Sequence, residues 1–163
     1  MTLFYKEMAS PVGKLKLIAS DHALVAVLWE QERSNRVKLD PAKLAPEHPI
    51  LTETERQLSE YFACKRTKFD LPLEPSGSEF QKKVWRALRK IPFGQTRSYL
   101  DLATAVGSTR ASRAVGLANG KNPLSIIVPC HRVIGSDGSL TGFAGGLQAK
   151  AALLALEAKA AHG

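Results

Sequence analysis

The chain has little cysteine: Cys64 and Cys130 are the only two in 163 residues. Two thiols do not make a disulfide framework, and both are expected to be free in a reducing, cytoplasmic compartment. Long apolar runs are missing as well. Stretches such as 23–29 and 126–129 fall far short of the ~20 residues that cross a bilayer, so no membrane-spanning segment is expected. Lys6 and Glu7 stand where a secretory leader would need its apolar core. There is no tandem repeat, no glycine-rich dinucleotide or phosphate loop, and no second Cys/His pair at zinc spacing. No cofactor and no metal are therefore expected. Acidic residues are scarce in one half only. Before residue 76 there are eleven basic and eleven acidic side chains; after it there are twelve basic and four acidic.

The whole formal charge of +8 thus belongs to the second half. A neutral segment joined to a basic one reads as two modules, 1–75 and 76–163. The second is suited to a polyanion, either nucleic acid or an anionic membrane surface. With 44% hydrophobic and 23% charged residues, the composition is that of an ordinary globular protein, not a disordered one.

Residues 3–8, 14–18 and 23–29 read as strands of an antiparallel meander, turning at Ser10-Pro11-Val12-Gly13 and at Asp21-His22. Residues 30–49, with Pro41, Pro46 and Pro49, read as loop. Thr52 and Glu55 have capping-box spacing and open a helix carrying Leu58, Tyr61 and Phe62. Residues 64–77 read as a linker. Ser78 and Gln81 form a second capping box, ahead of Phe80, Val84, Trp85 and Leu88 at helical spacing. Tyr99, Leu102, Ala103 and Val106 mark a short helix, Gly107-Ser108-Thr109 a break, and 110–119 a second helix. Two ordinary packed helices would give this pattern, and so would a helix-turn-helix. The small residues Ala111, Ser112, Ala114, Gly116 and Ala118, with Arg110 and Arg113 exposed, favour a helix that approaches DNA closely.

Residues 124–128 (Leu-Ser-Ile-Ile-Val) read as a buried strand delivering Cys130, followed by His131 and Arg132. A buried cysteine is commonly inert filler. Three neighbours argue for a nucleophile. His131 adjoins it, although neighbours on a strand face opposite ways, so a turn or a bridging water is required. Arg132 brings positive charge that would favour thiolate. Glu157 shares the apolar face of a C-terminal helix with Leu153 and Leu154. A carboxylate there either reaches water at the edge of the stripe or is paired, and His131 is the histidine beside the candidate nucleophile. Cys130, His131 and Glu157 would then act as nucleophile, base and orienter. Cys64, at a helix end, reads as packing or a bystander.

The segments 80–88, 94–103, 111–116, 122–134 and 141–157 together resemble the O6-alkylguanine-DNA alkyltransferases, the bacterial single-chain methylated-DNA–protein-cysteine methyltransferases. The Ile-Ile-Val-Pro-Cys-His-Arg-Val run at 126–133 is the most specific part; the first 75 residues match loosely. The resemblance implies an α+β protein. A small N-terminal ribonuclease-H-like domain with an antiparallel sheet would precede a mostly helical, winged helix-turn-helix domain. It implies irreversible transfer of the alkyl group of O6-alkylguanine, and of O4-alkylthymine in some members, from double-stranded DNA to Cys130. The protein would turn over once, without cofactor, and neighbouring copies would meet on DNA. His131 would deprotonate Cys130 through a water, Glu157 would orient His131, Asn122 would join their network, and Tyr99 would turn the target phosphate and protonate the leaving guanine. Arg113 would fill the gap left by the flipped base. Gln81, Ser108 and Ser136 would touch the DNA backbone. Phe143, Ala144 and Gly145 would line the base pocket, with Phe143 in place of the family's usual tyrosine. The rival readings are a non-enzymatic module that binds alkylated bases, and a cysteine hydrolase built on Cys130, His131 and Glu157.

Overall fold

The structure is a computed structural model that describes residues 2–33 and 36–162. Four strands, β1 (Leu3–Met8), β2 (Leu15–Ala19), β3 (Leu24–Trp29) and β4 (Ala42–Leu44), form one sheet in the order β3-β2-β1-β4. The first three make the expected antiparallel meander. β4 pairs parallel to β1 and lies inside the stretch read as loop. Its three residues are too few for an alternating pattern to register. Leu15, Leu17 and Ala19 of β2 point into the main core, while Ile18 joins Leu3, Val25 and Ala26 on the opposite face. That is the two-residue period of a strand. A register shift at Ile18/Ala19 lets both ends of β3 stay buried.

Helix α1 (Pro49–Phe62) packs on the sheet through Leu51, Thr54, Leu58 and Tyr61. It starts one turn before the expected Thr52 cap. Pro49 takes the first helical position, where its missing N–H costs nothing, and the His48 side chain accepts from Ile50 N. The Thr52 hydroxyl instead donates to His48 O. The expected Ser78–Gln81 capping box is present and opens α2 (Glu79–Leu88). After the two-residue strand β5 (Arg97–Ser98) comes α3 (Tyr99–Ala105), itself opened by a box between Ser98 and Asp101. A 3-10 turn at Thr109–Ala111 precedes α4 (Ser112–Gly120), so the helix read over 110–119 is regular α only from Ser112. β6 (Val133–Ile134) pairs with β5, and α5 (Leu147–His162) closes the chain.

Residues 124–128 are not a strand. Ile127 N donates to Ser125 O and Val128 N to Leu124 O, which folds the segment into a tight turn between Pro123 and Pro129. Ile126 sits at φ +73°, a left-handed conformation that is strained for a β-branched residue, at a cost of about 1–3 kcal/mol. β-branched composition favoured a strand; the flanking prolines and burial on all sides override it. The turn is fastened to the sheet, because Val27 N donates to Pro123 O and Trp29 Nε1 to Ser125 Oγ. The linker contributes too: Leu24 N donates to Pro72 O, and Glu74 N to Leu24 O. The open edge of β3 is thereby covered from both halves of the sequence.

Candidate active site

Cys130, His131 and Arg132 form a single 3-10 turn after Pro129, and all three side chains are buried. The turn supplies the bend that a strand would have denied to adjacent residues. Cys130 and His131 nevertheless go to different partners. His131 Nε2 lies 2.7 Å from Glu157 Oε2. Arg132 makes a forked pair with the same carboxylate, Nε to Oε1 at 2.7 Å and Nη2 to Oε2 at 3.0 Å, and its Nη1 donates to Ile91 O. Tyr61 OH of α1 donates to Glu157 Oε2 at 2.5 Å, and Gly94 N to Oε1 at 3.3 Å. Leu153 and Glu157 share the buried face of α5 with Ala149 and Lys150, while Leu154 is only half-buried, and Glu157 is paired rather than reaching water.

The electrostatics follow from these contacts. Burial alone would raise the Glu157 carboxyl, but the hydrogen bonds and charges of His131 and Arg132 outweigh it and hold the group at about 2. A carboxylate can only accept, so the His131 Nε2–H donates to it. Burial holds His131 below its ordinary value, against the pull of Glu157, and the ring is neutral. Its lone pair is then on Nδ1, which is buried and has no hydrogen-bond partner among the described residues. A neutral imidazole, oriented from behind and with a free basic nitrogen one residue from a thiol, is arranged as a general base. Arg132 does not do what the sequence implied. Its charge is spent on Glu157, and the thiolate-favouring cations are Arg36 and Lys150. Burial raises the Cys130 thiol; a hydrogen bond from the Asn122 side chain and those two cations oppose it.

Asn122 belongs to the nucleophile's turn and not to the Glu157 network. Its Nδ2 donates to Val128 O at 2.9 Å and its Oδ1 accepts from Leu124 N at 3.0 Å. Tyr99 OH bonds Thr141 Oγ1 at 2.6 Å. Phe143 is half-buried, edge-on to Trp29 with ring centroids 5.4 Å apart. A Cβ on Gly145 would come within 2.6 Å of the same indole, so this position requires glycine. Phe143 and Ala144 face Gly116 and Leu117 of α4 across a cleft of about 420 Å³, which Arg33 and Arg36 also line. Arg110, Ser112, Arg113 and Ser136 are exposed, and Ala111 and Ser108 are half-exposed. Gln81 is engaged with Ser78 N in its capping box. Cys64 is exposed at φ +61° after α1, a bystander rather than packing. Among the described residues no group of three or more His, Cys, Asp or Glu is placed to hold a metal.

Four contributors escaped the sequence reading: Tyr61, Trp29, Arg36 and Lys150. Lys150 carried a signal, since it falls on the apolar face of α5 two turns before Glu157. Arg36 carried none. It caps the C-terminal end of α4 through Gly120 O at 3.3 Å and Asn122 O at 2.7 Å, while Glu32 holds its guanidinium from the other side.

Comparison with known proteins decides the family. The model for the 6-O-methylguanine DNA methyltransferase DNA-binding domain matches residues 79–159, and that for the ribonuclease-like domain of the same proteins matches residues 3–75. The chain belongs to the 6-O-methylguanine DNA methyltransferase family. It is 46% identical to a methylated-DNA–protein-cysteine methyltransferase of Methanosarcina barkeri, over 95% of this chain and 97% of that one. It is 45% identical to the constitutive methylated-DNA–protein-cysteine methyltransferase of Bacillus subtilis, over 94% of each chain. The crystal structure of Mycobacterium tuberculosis OGT in complex with DNA superposes with a TM-score of 0.88 at 43% identity, covering 96% of this chain and 94% of that one. The α+β fold of the family, a small sheet domain followed by a helical one, is the fold seen here.

Proposed function

We propose that the chain repairs DNA by transferring the alkyl group of O6-alkylguanine to Sγ of Cys130. The observation that carries this reading is the Glu157–His131 pair, which leaves His131 Nδ1 as a buried base without a partner among the described residues, on the residue next in sequence to the thiol. His131 takes the thiol proton through a water. The thiolate attacks the alkyl carbon, the S–C bond forms as the O6–C bond breaks, and the electron pair leaves with guanine. Tyr99 OH supplies a proton to the departing base, which requires release of its bond to Thr141 Oγ1. Asn122 steadies the sulfur. The thioether product is stable, and the other thiol, Cys64, is exposed at the end of α1 while Cys130 is buried, so each molecule acts once.

The substrate atom is stacked inside a duplex and must be flipped out, at a cost of a few kcal/mol. Arg113, exposed on α4, offsets this by filling the vacated stack. Arg110, Ala111, Ser112, Ser108 and Ser136 meet the backbone, and the loop of Phe143, Ala144 and Gly145 encloses the flipped base. Gln81 is the weakest of these assignments, because its amide already closes the α2 cap. The basic segment after residue 76 is the DNA-binding and transfer module, and the segment before it is its support. Exposed, unpaired Cys64 fits a cytoplasmic location, and no described helix is long and apolar enough to cross a membrane. The test is intact-protein mass after incubation with duplex DNA containing O6-methylguanine. One methyl on the peptide containing Cys130 is expected; repeated turnover, or an unmodified Cys130, sinks the proposal.

A further inference from the structure

Of Arg132, Arg36 and Lys150, the three cations whose contacts or charge reach the nucleophile turn from buried or half-buried positions, two have a carboxylate partner among the described residues. Arg132 is neutralised by Glu157 and Arg36 by Glu32. Lys150 is fully buried in the first turn of α5, yet no carboxylate lies within ion-pair distance of it among the described residues. Its Nζ donates to two carbonyls only, Val133 O at 2.7 Å and Thr141 O at 3.3 Å. A buried ammonium without a counter-charge is costly, and a fold that served stability alone would place an apolar residue there.

Those two carbonyls are at informative places. Val133 N donates to Cys130 O, so its own carbonyl sits at the end of the nucleophile turn. Thr141 leads into the loop that carries Phe143, and its hydroxyl holds Tyr99. Lys150 therefore ties the turn bearing the sulfur to the loop over the cleft. Other titratable groups around the sulfur are already committed. His131 and Arg132 on the same turn face Glu157 of α5, behind which stands Tyr61 of α1; Arg36 faces Glu32; Tyr99 of α3 faces Thr141; and Asp137, in the exposed turn of the loop, is capped by Ser139 N. The Cys130 sulfur is the group whose ionised form would answer the Lys150 charge: burial disfavours the charged form of each, and each opposes that effect in the other.

We propose that Lys150 is a positioning residue for alkyl transfer: it clamps the Phe143 loop to the nucleophile turn and supplies the uncompensated positive charge against which the Cys130 thiolate forms. The proposal rests on Cys130 being the acceptor, so the test has a readout that does not depend on DNA. In the full-length chain carrying Cys64→Ser, the pH profile of Cys130 modification by iodoacetamide is measured by peptide mass, alongside methyl transfer from duplex DNA containing O6-methylguanine. Lys150→Met and Lys150→Gln both remove the charge, and Lys150→Gln keeps a donor toward Val133 O. In both, the inflection is expected to rise by about one pH unit, a roughly 10-fold loss at neutral pH, with the high-pH plateau retained. Lys150→Arg is expected to keep the wild-type inflection even where its plateau rate falls. An unchanged inflection in whichever neutral variant folds, or a loss equal at all pH values, overturns the electrostatic role. If methyl transfer fails in the wild type while the iodoacetamide inflection still depends on Lys150, the proposed function fails and the Lys150–Cys130 coupling stands.

Discussion

At the scale of the residue, the site turns on one carboxylate. Glu157 accepts from His131, Arg132, Tyr61 and Gly94. Glu157→Gln leaves the Arg132 guanidinium buried without its counter-charge, and breaking such a pair costs about 3–5 kcal/mol. Chemical denaturation should show a loss of that order, and methyl transfer should fall with it. Acid stability follows from the same group. A carboxyl held at about 2 when folded contributes stability that is present above its ordinary value of 4.5 and is lost as pH falls toward 2. The acid limb of a pH–stability curve should therefore flatten in Glu157→Gln; an unchanged limb would assign it to other carboxyls. His131 predicts the rate. Because burial lowers it from 6.5, methyl transfer should hold below that pH before falling, and His131→Asn should slow it about 10²–10⁴-fold. Cys130, His131 and Glu157 were legible because each broke a rule of its neighbourhood: a thiol, an imidazole and a carboxylate in apolar surroundings. The partner of Arg132 was not legible, since a guanidinium beside a cysteine looks like an electrostatic activator until the carboxylate that neutralises it is located in space.

Among the elements, helices were read best where the cap chemistry is local. The Ser78–Gln81 box needs four consecutive residues and nothing else, and it is present. Ser78→Ala should cost about 1 kcal/mol in thermal unfolding. The segment 124–128 failed the same kind of reading because its shape is set from outside, by Trp29, Val27 and two prolines. Gly94 shows how an element can depend on a distant glycine. It adopts φ +82°, and a Cβ there would lie 2.7 Å from the Cβ of Ala161 in the last turn of α5. Gly94→Ala is expected to destabilise by about 1–3 kcal/mol, through strain and displacement of the helix that carries Glu157. On α4, Arg113 is exposed and makes no side-chain hydrogen bond or ion pair among the described residues. Arg113→Ala should leave the melting temperature unchanged and weaken repair of duplex DNA more than reaction with the free modified base. Equal losses on both would contradict a finger role.

For the molecule as a whole, the charge imbalance marked two modules, but the packing joins them. Leu15, Leu17, Val27 and Tyr61 from the first segment share one core with Trp85, Leu124, Cys130 and Leu153 from the second. This was not legible, because contacts between distant segments leave no periodic trace in either. The joining contacts are also chemical: Tyr61 reaches Glu157, Trp29 reaches Ser125, and Arg36 reaches Asn122. Arg33 and Arg36 line the cleft opposite α4, so the neutral segment is not wholly remote from the basic one. Two consequences are separable by experiment. Salt dependence of DNA binding should still trace to the second segment, since phosphate neutralisation sets the slope. Neutralising Lys14, Lys16 and Lys65 should leave that slope unchanged, while neutralising Arg110 and Arg113 should reduce it. Unfolding, by contrast, should not respect the boundary. With one core crossing it, Trp29 and Trp85 fluorescence and far-ultraviolet circular dichroism should trace a single coincident transition in urea. Two resolved transitions would mean that each segment holds its own stability, and the buried bonds from Tyr61, Trp29 and Arg36 would then position the site without coupling its folding.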